Sequence, residues 1–239
     1  MLKIASSREA LMKPKRAGSW LVVMVLGGMA SACNPVFAPP IRSVHLGSPR
    51  PARPGAVEVS GAAGIPWGNG AATVSVSVAE GVWLDGSLDM RYFEPEQWTI
   101  GNVGVRFVLF QEPNKITGFF ADIELGAGAG AGGVDDRDGQ PTRDMDWQER
   151  FAYGAFAGLG AAYHVTSWFA WFARGRVQVS KAEFIPTTLW ASGLTGPQFT
   201  VGPVSLYLSC GVAYYLNEVD EEVGLLPEAG LIFRLPTGE

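Results

Sequence analysis

Phe151-Ala-Tyr-Gly-Ala-Phe-Ala-Gly-Leu-Gly-Ala-Ala-Tyr-His-Val165 decides the fold. Its odd positions (Phe151, Tyr153, Ala155, Ala157, Leu159, Ala161, Tyr163 and Val165) are apolar, with aromatics toward both ends, while its even positions are mostly small. Successive side chains of a β-strand point to opposite faces, so a period of two sustained over this stretch predicts one long strand with two unlike surfaces.

The flanking segments repeat the pattern with charges. Phe169, Trp171, Ala173, Gly175, Val177 and Val179 alternate with Arg174, Arg176, Gln178 and Ser180. Phe119, Ala121, Ile123, Leu125 and Ala127 alternate with Phe120, Asp122, Glu124 and Gly126. Shorter versions place Glu58 between Val57 and Val59, Asp89 and Arg91 among Leu88, Met90 and Tyr92, Arg106 between Val105 and Phe107, and Arg234 after Phe233. The spacing predicts strands over 56–65, 71–80, 87–93, 100–110, 115–128, 149–165, 168–182, 188–201, 203–216 and 228–235. Ten is the expected number, with eight as the runner-up.

Such alternation suits a soluble antiparallel sandwich, with charges facing water, or a transmembrane β-barrel, with the apolar face on lipid and the polar face on the lumen. The barrel is favoured. The strands reach the roughly 10 residues needed to cross a bilayer on a tilt. Phe151, Tyr153, Tyr163, Phe169 and Trp171 cluster at strand ends as an interfacial girdle would. Turns alternate between short (Thr166-Ser167; 111–115) and long (134–148; 217–227).

Energetics fix the phase. Turning each strand over would set Asp122, Glu124, Arg174 and Arg176 against lipid, at about 2–4 kcal/mol for each midplane arginine and less for each acid. The expected lumen therefore holds Glu58, Asp89, Arg91, Arg106, Asp122, Glu124, Arg174, Arg176 and Arg234, and Lys181 faces outward near a strand end.

Composition agrees with a membrane protein that crosses without helices. The 239 residues are 47% hydrophobic and only 17% charged, with 31 glycines and a mean hydropathy of +0.14. A hydrophobic, charge-poor chain is not disordered. A net charge of −5 without a Lys/Arg stripe in the barrel region argues against nucleic-acid binding. Past residue 33 no apolar run is long enough for a spanning helix.

The N-terminus reads as an export signal. Lys3, Arg8, Lys13, Lys15 and Arg16 precede a short apolar core at 20–26, and Ala30-Ser31-Ala32 meets the small-residue rule for cleavage. Residues 1–32 are expected to be removed, which takes five basic residues and one acid and leaves 13 basic and 22 acidic side chains, a net −9. Ala30-Ser-Ala-Cys33 resembles a bacterial lipobox with Ala30 where leucine is usual; lipidation of Cys33 and plain secretion are both compatible with it. With Cys33 lipidated, Cys210 has no disulfide partner. Residues 34–55 hold six prolines, three arginines and no acid. Residues 33–55 are therefore expected to form an extended tether, followed by a barrel over 56–235 and a short tail over 236–239.

Gly158-Leu-Gly-Ala-Ala-Tyr-His-Val-Thr-Ser-Trp-Phe-Ala-Trp-Phe-Ala-Arg-Gly-Arg176 resembles the strand–turn–strand repeat of small bacterial outer-membrane β-barrels of the OmpA/OmpX type, and Gly81–Tyr92 is a looser instance. The resemblance covers about 56–235 and implies architecture only: all-β, one antiparallel barrel in the bacterial outer membrane. Ten is an even number of strands, so both barrel ends are expected on the periplasmic side, where a lipid anchor on Cys33 would sit. Expected partners are outer-membrane lipids and lipopolysaccharide, the barrel assembly machinery and components of envelope complexes.

Four acids facing five arginines suit a salt-bridged lumen better than a selective pore, which uses rings of one sign. A narrow pore and a ligand site are the lesser readings. The function expected is a non-catalytic outer-membrane lipoprotein. A lipid-modifying barrel hydrolase and a soluble β-sandwich lipoprotein are the alternatives. His45 falls in the tether, leaving His164 as the one barrel-borne base, and His164-Val-Thr-Ser167 does not match the His-x-Ser motif of barrel lipases. Asp136-Arg-Asp138-Gly139 imitates the middle of a calcium loop, but Val134 and Met145 stand at its first and twelfth ligand positions. No metal or cofactor is expected. The run from Gly126 to Gly133 fits a strand loosening toward a long loop.

Overall fold

The computed structural model describes residues 37–50, 53–64, 68–93, 96–110, 117–135, 147–218 and 221–235. Cys33 and the calcium-like loop lie outside them.

Eleven strands form: β1 (Val57–Gly64), β2 (Asn69–Ala79), β3 (Val82–Phe93), β4 (Glu96–Phe110), β5 (Gly118–Asp135), β6 (Trp147–His164), β7 (Phe169–Ala182), β8 (Ile185–Val201), β9 (Val204–Leu216), β10 (Glu221–Leu225) and β11 (Glu228–Leu235). Each pairs antiparallel with its neighbour from β1 to β9, and β11 returns to pair with β1. β10 and β11 both lie along β9 and occupy one place in the sheet. They are separated at Leu226–Pro227, where proline has no N–H for the ladder and Leu226 instead exchanges hydrogen bonds with Gly211 at 2.9 and 3.0 Å. The result is a closed barrel of ten strand positions, not a two-sheet sandwich.

β2 to β6 and β8 run longer than the alternation predicted, whereas β1, β7 and β9 are slightly shorter. β3 begins at Val82, which adds Asp85 to its inward row, and residues 221–225, expected in a long loop, pair with β9. β8 passes straight through Gly196-Pro197, with Pro197 still in register opposite Trp171.

The barrel is inside-out relative to a soluble protein. Val59, Val74, Leu88, Val103, Leu125, Leu159, Val177, Leu206 and Leu231 are exposed on its outer surface, whereas Glu58, Asp89, Arg106, Asp122, Glu124, Arg174 and Arg176 are buried. That distribution is stable only with apolar surroundings outside. Lys181 is exposed one residue from the end of β7.

The barrel has two distinguishable rims. The near rim carries the start of β1, the end of β11 and the turns 80–81, 165–168 and 202–203. The far rim carries the ends of β1, β3, β5, β7 and β9, and the longest interval of sequence between strands, from Asp135 to Trp147, joins two far-rim strand ends. Tyr163, Trp168, Phe169, Trp171 and Phe199 gather at the near rim, with Phe169 and Phe199 centroids 5.4 Å apart. Phe151 and Tyr153 stand at the far-rim side of β6, 6.3 Å apart. The outer face thus has an aromatic group at each end.

The largest departure from the sequence reading concerns residues 37–50. These were expected to lie outside the barrel as a spacer. They run inside it: Ala38, Ile41 and Val44 have no exposed surface, and Arg42, His45 and Ser48 are buried. An extended segment has backbone donors and acceptors that need partners, and the polar lumen provides them.

Candidate functional site in the barrel lumen

The lumenal segment is held along its whole length. At the far-rim end Phe37 meets Tyr215 edge-on, with centroids 4.5 Å apart. Ala38 N–H donates to Thr188 Oγ1 at 2.9 Å, and its carbonyl accepts from Trp190 Nε1 at 3.0 Å. The Gln178 amide acts as a substitute strand for Arg42, accepting from its N–H and donating to its carbonyl, both at 2.9 Å. Ser43 donates through N–H and Oγ to Asp89 Oδ1 at 2.8 and 2.7 Å. His45 N–H donates to Glu228 at 3.0 Å, and Ser48 donates twice to Gln198 Oε1 at 2.8 Å. At the near rim, Pro49 O lies 2.9 Å from His164 Nε2, and Arg50 contacts Thr200.

Shape complements these bonds. Ile41 fits against β5 and β6 at positions without side chains: a Cβ on Gly128 would lie 2.8 Å from Ile41 Cγ2, and one on Gly154 would lie 2.8 Å from Ile41 Cγ1. Gly126, Gly128 and Gly132 are therefore more than a loosening of β5. They face the lumen, where Phe156, Ile41 and Trp98 fill the space a side chain would take. Gly47 turns the segment with φ +63°, a region that disfavours L side chains, in a spot where Gln198 and Ile232 leave 2.8 Å.

Beneath the segment, charges are arranged in rows by the sheet register. Glu58 stands opposite Arg234 across the β1–β11 seam, and Arg234 Nε donates to Glu58 Oε1 at 2.9 Å. Asp122, Gly160 and Arg174 form one row across β5, β6 and β7; Glu124, Gly158 and Arg176 form the next. The glycine in each row leaves the gap over which acid and base meet. Arg174 Nη2 donates to Asp122 Oδ2 at 2.8 Å, and Arg176 Nε donates to Glu124 Oε1 at 2.6 Å. Arg106 links these groups, with Asp85 at 3.4 Å and both Glu58 and Asp122 at 4.0 Å. Arg174 and Arg176 also hold the lumenal segment, donating to Gly47 O at 2.5 Å and Val44 O at 2.7 Å.

Eight of the nine charges expected in the lumen take part in these contacts, Asp89 as the acceptor for Ser43, Ser87 and Asn102. Arg91 is half-buried toward the far rim, on the same inward row of β3. Sequence reasoning missed Asp85, which precedes the strand expected at 87–93, and Glu228, the first residue of the strand expected at 228–235. It also missed Arg42, whose guanidinium approaches Glu124 at 3.6 Å and lies 5.5 Å from the Phe156 ring centroid. Parity would have found Asp85, since 85, 87, 89 and 91 share a face.

His45, assigned to a tether, is buried in the lumen. Its Nε2 lies 3.2 Å from Ser192 Oγ and its Nδ1 lies 3.6 Å from Glu228 Oε2. The order is that of nucleophile, base and acid, but 3.6 Å exceeds hydrogen-bond length. The adjoining cavity, lined by His45, Glu58, Arg106 and Arg174 among others, is about 10 Å³, room for one water.

No known protein family matches the sequence, and no curated protein does. Among solved structures, the chain is similar to the N-terminal β-barrel domain of Pseudomonas aeruginosa OprF, at 14% identity and TM-score 0.42, over 76% of this chain and 98% of that one. It is also similar to the outer-membrane protease OmpT of Escherichia coli, at 6% identity and TM-score 0.39, over 75% and 93%.

Proposed function

We propose that this protein is a non-catalytic lipoprotein of the bacterial outer membrane, a β-barrel sealed by its own N-terminal segment, with a structural role in the envelope. The observation that carries this reading is the filled lumen: residues 37–50 occupy it and are bonded to its walls from Ala38 to Arg50. A balanced interior lacks the one-sign ring of a selective pore. Signal cleavage after Ala32, lipidation of Cys33, and contacts with lipopolysaccharide, the assembly machinery and envelope partners belong to the same reading.

Planar-bilayer recording of the full mature chain tests it. The expected result is a closed barrel; a large, stable open state would overturn the seal. Heat-modifiable gel mobility and recovery with outer membranes are expected for the barrel itself.

The hydrolase alternative draws on Ser192, His45 and Glu228, yet a cavity of about 10 Å³ admits no acyl chain. Phospholipid hydrolysis that is lost on Ser192→Ala would favour the enzyme.

A further inference from the structure

The direction of the lumenal segment has a topological consequence. Phe37 and Ala38 lie at the far rim. Ala38 packs with Ala182 and Ile185, which flank the far-rim turn, and Phe37 packs with Trp190 and Tyr215, the latter one residue from the end of β9. Arg50 and Pro49 lie at the near rim, beside Thr200 and His164, the last residue of β6. Between them the contacts proceed in order through the barrel, from Thr188 to Gln178, Arg176, Arg174 and Gln198. Residues 37–50 span up to about 43 Å when extended, comparable to a bilayer with its headgroups. The segment therefore crosses the barrel once, end to end, and turns at 53–55 into β1 at the near rim.

We infer that the polypeptide enters the lumen from the far rim, so that the chain just ahead of Phe37 and the C-terminal strand end lie on opposite sides of the membrane. The ten-position barrel alone would put both of its ends on one side, as the sequence reading expected; the threaded segment moves the N-terminus across. Cys33 is four residues from Phe37 and thus within about 14 Å of it by chain length. Acyl chains on Cys33 would then enter the leaflet at the far rim, which carries the longest connection. Resting on the outer-membrane reading, this is a cell-surface anchor in the outer leaflet, where a periplasmic one was expected.

Cysteine accessibility tests it in the full chain with Cys210→Ser, whose own labelling reports on Cys33. Val36→Cys and Ser167→Cys, the latter in the exposed near-rim turn, are treated with a membrane-impermeant maleimide on intact and on permeabilised cells. Val36→Cys is expected to label fully on intact cells, and Ser167→Cys to gain at least about tenfold on permeabilisation. Labelling of both from one side overturns the inference. The reverse order leaves the threading standing and overturns only the orientation of the barrel. Asn34→Cys repeats the test if Val36→Cys loses heat-modifiable mobility. Spin labels on Val36→Cys and Ser167→Cys in detergent give a reading independent of the membrane. The expected distance is on the order of 40 Å, from the length of the extended segment; one under about 20 Å overturns the threading.

Discussion

Asp122 and Arg174 belong to strands that do not pair with each other, yet their side chains meet at 2.8 Å over the backbone of Gly160. The strand between them contributes a missing side chain. A Cβ on Gly160 would lie 2.4 Å from Asp122 Oδ1 and 3.0 Å from Arg174 Cζ.

Gly160→Ala is therefore expected to destabilise the barrel by about 1–3 kcal/mol, the usual cost of overpacking. Urea unfolding in detergent, followed by heat-modifiable mobility, measures it. Ala157→Val on the outer face of the same strand is the control and should change stability by much less.

Arg176 and Glu124 test the buried ion pairs. Arg176→Met leaves the carboxylate short of its nearest partner, at about 3–5 kcal/mol for a broken buried pair. Combining it with Glu124→Gln removes the stranded charge, so the double variant should be more stable than Arg176→Met alone. Additive losses in a double-mutant cycle would contradict the pairing.

The Gln178 amide is expected to protect the amide of Arg42. Gln178→Leu removes both hydrogen bonds to that residue and should speed hydrogen exchange at Arg42, with a loss of about 1–3 kcal/mol for each buried group left unpaired. An unchanged exchange rate would argue against the lumenal path of 37–50.

Loosening the segment should open the barrel. Ile41, Val44 and Leu46 are its buried apolar anchors, and changing all three to alanine removes the packing of Ile41 over Gly128 and Gly154 and of Val44 and Leu46 against Ala71. Planar-bilayer recordings of this variant are expected to show brief openings where the parent stays closed.

Quenching by brominated lipids checks the outer face. Trp168 and Trp171 are 55% and 51% exposed, whereas Trp83 is buried. Trp168→Phe with Trp171→Phe should lower the quenchable fluorescence, and Trp83→Phe should leave it unchanged.

The barrel was legible because a strand writes its two faces into alternate residues. Glu58, Asp122, Glu124, Arg174 and Arg176 could be assigned inward one segment at a time, without knowing which strands pair. The lumenal segment could not. It has no period, its prolines read as a spacer, and its partners are remote: His45 bonds Glu228 at a separation of 183 residues. The inward glycines of β5 and β6 were equally silent, since an absent side chain acquires meaning only beside the group that fills its place. Glu228 was within reach of the same parity, since it begins the strand expected over 228–235 and shares Arg234's face.

Glu58 and Arg234 join the first strand to the last, 176 residues apart. Residues 37–50 precede every strand, so they exist before there is any wall to enclose them. Passing them through a finished barrel would drag Arg42 and His45 past Arg106, Arg174 and Arg176. Wrapping the sheet around them requires no such passage. The segment is then to the closed cylinder what a mandrel is to a wound tube, and the seam that Glu58 and Arg234 span is where its first and last strands meet.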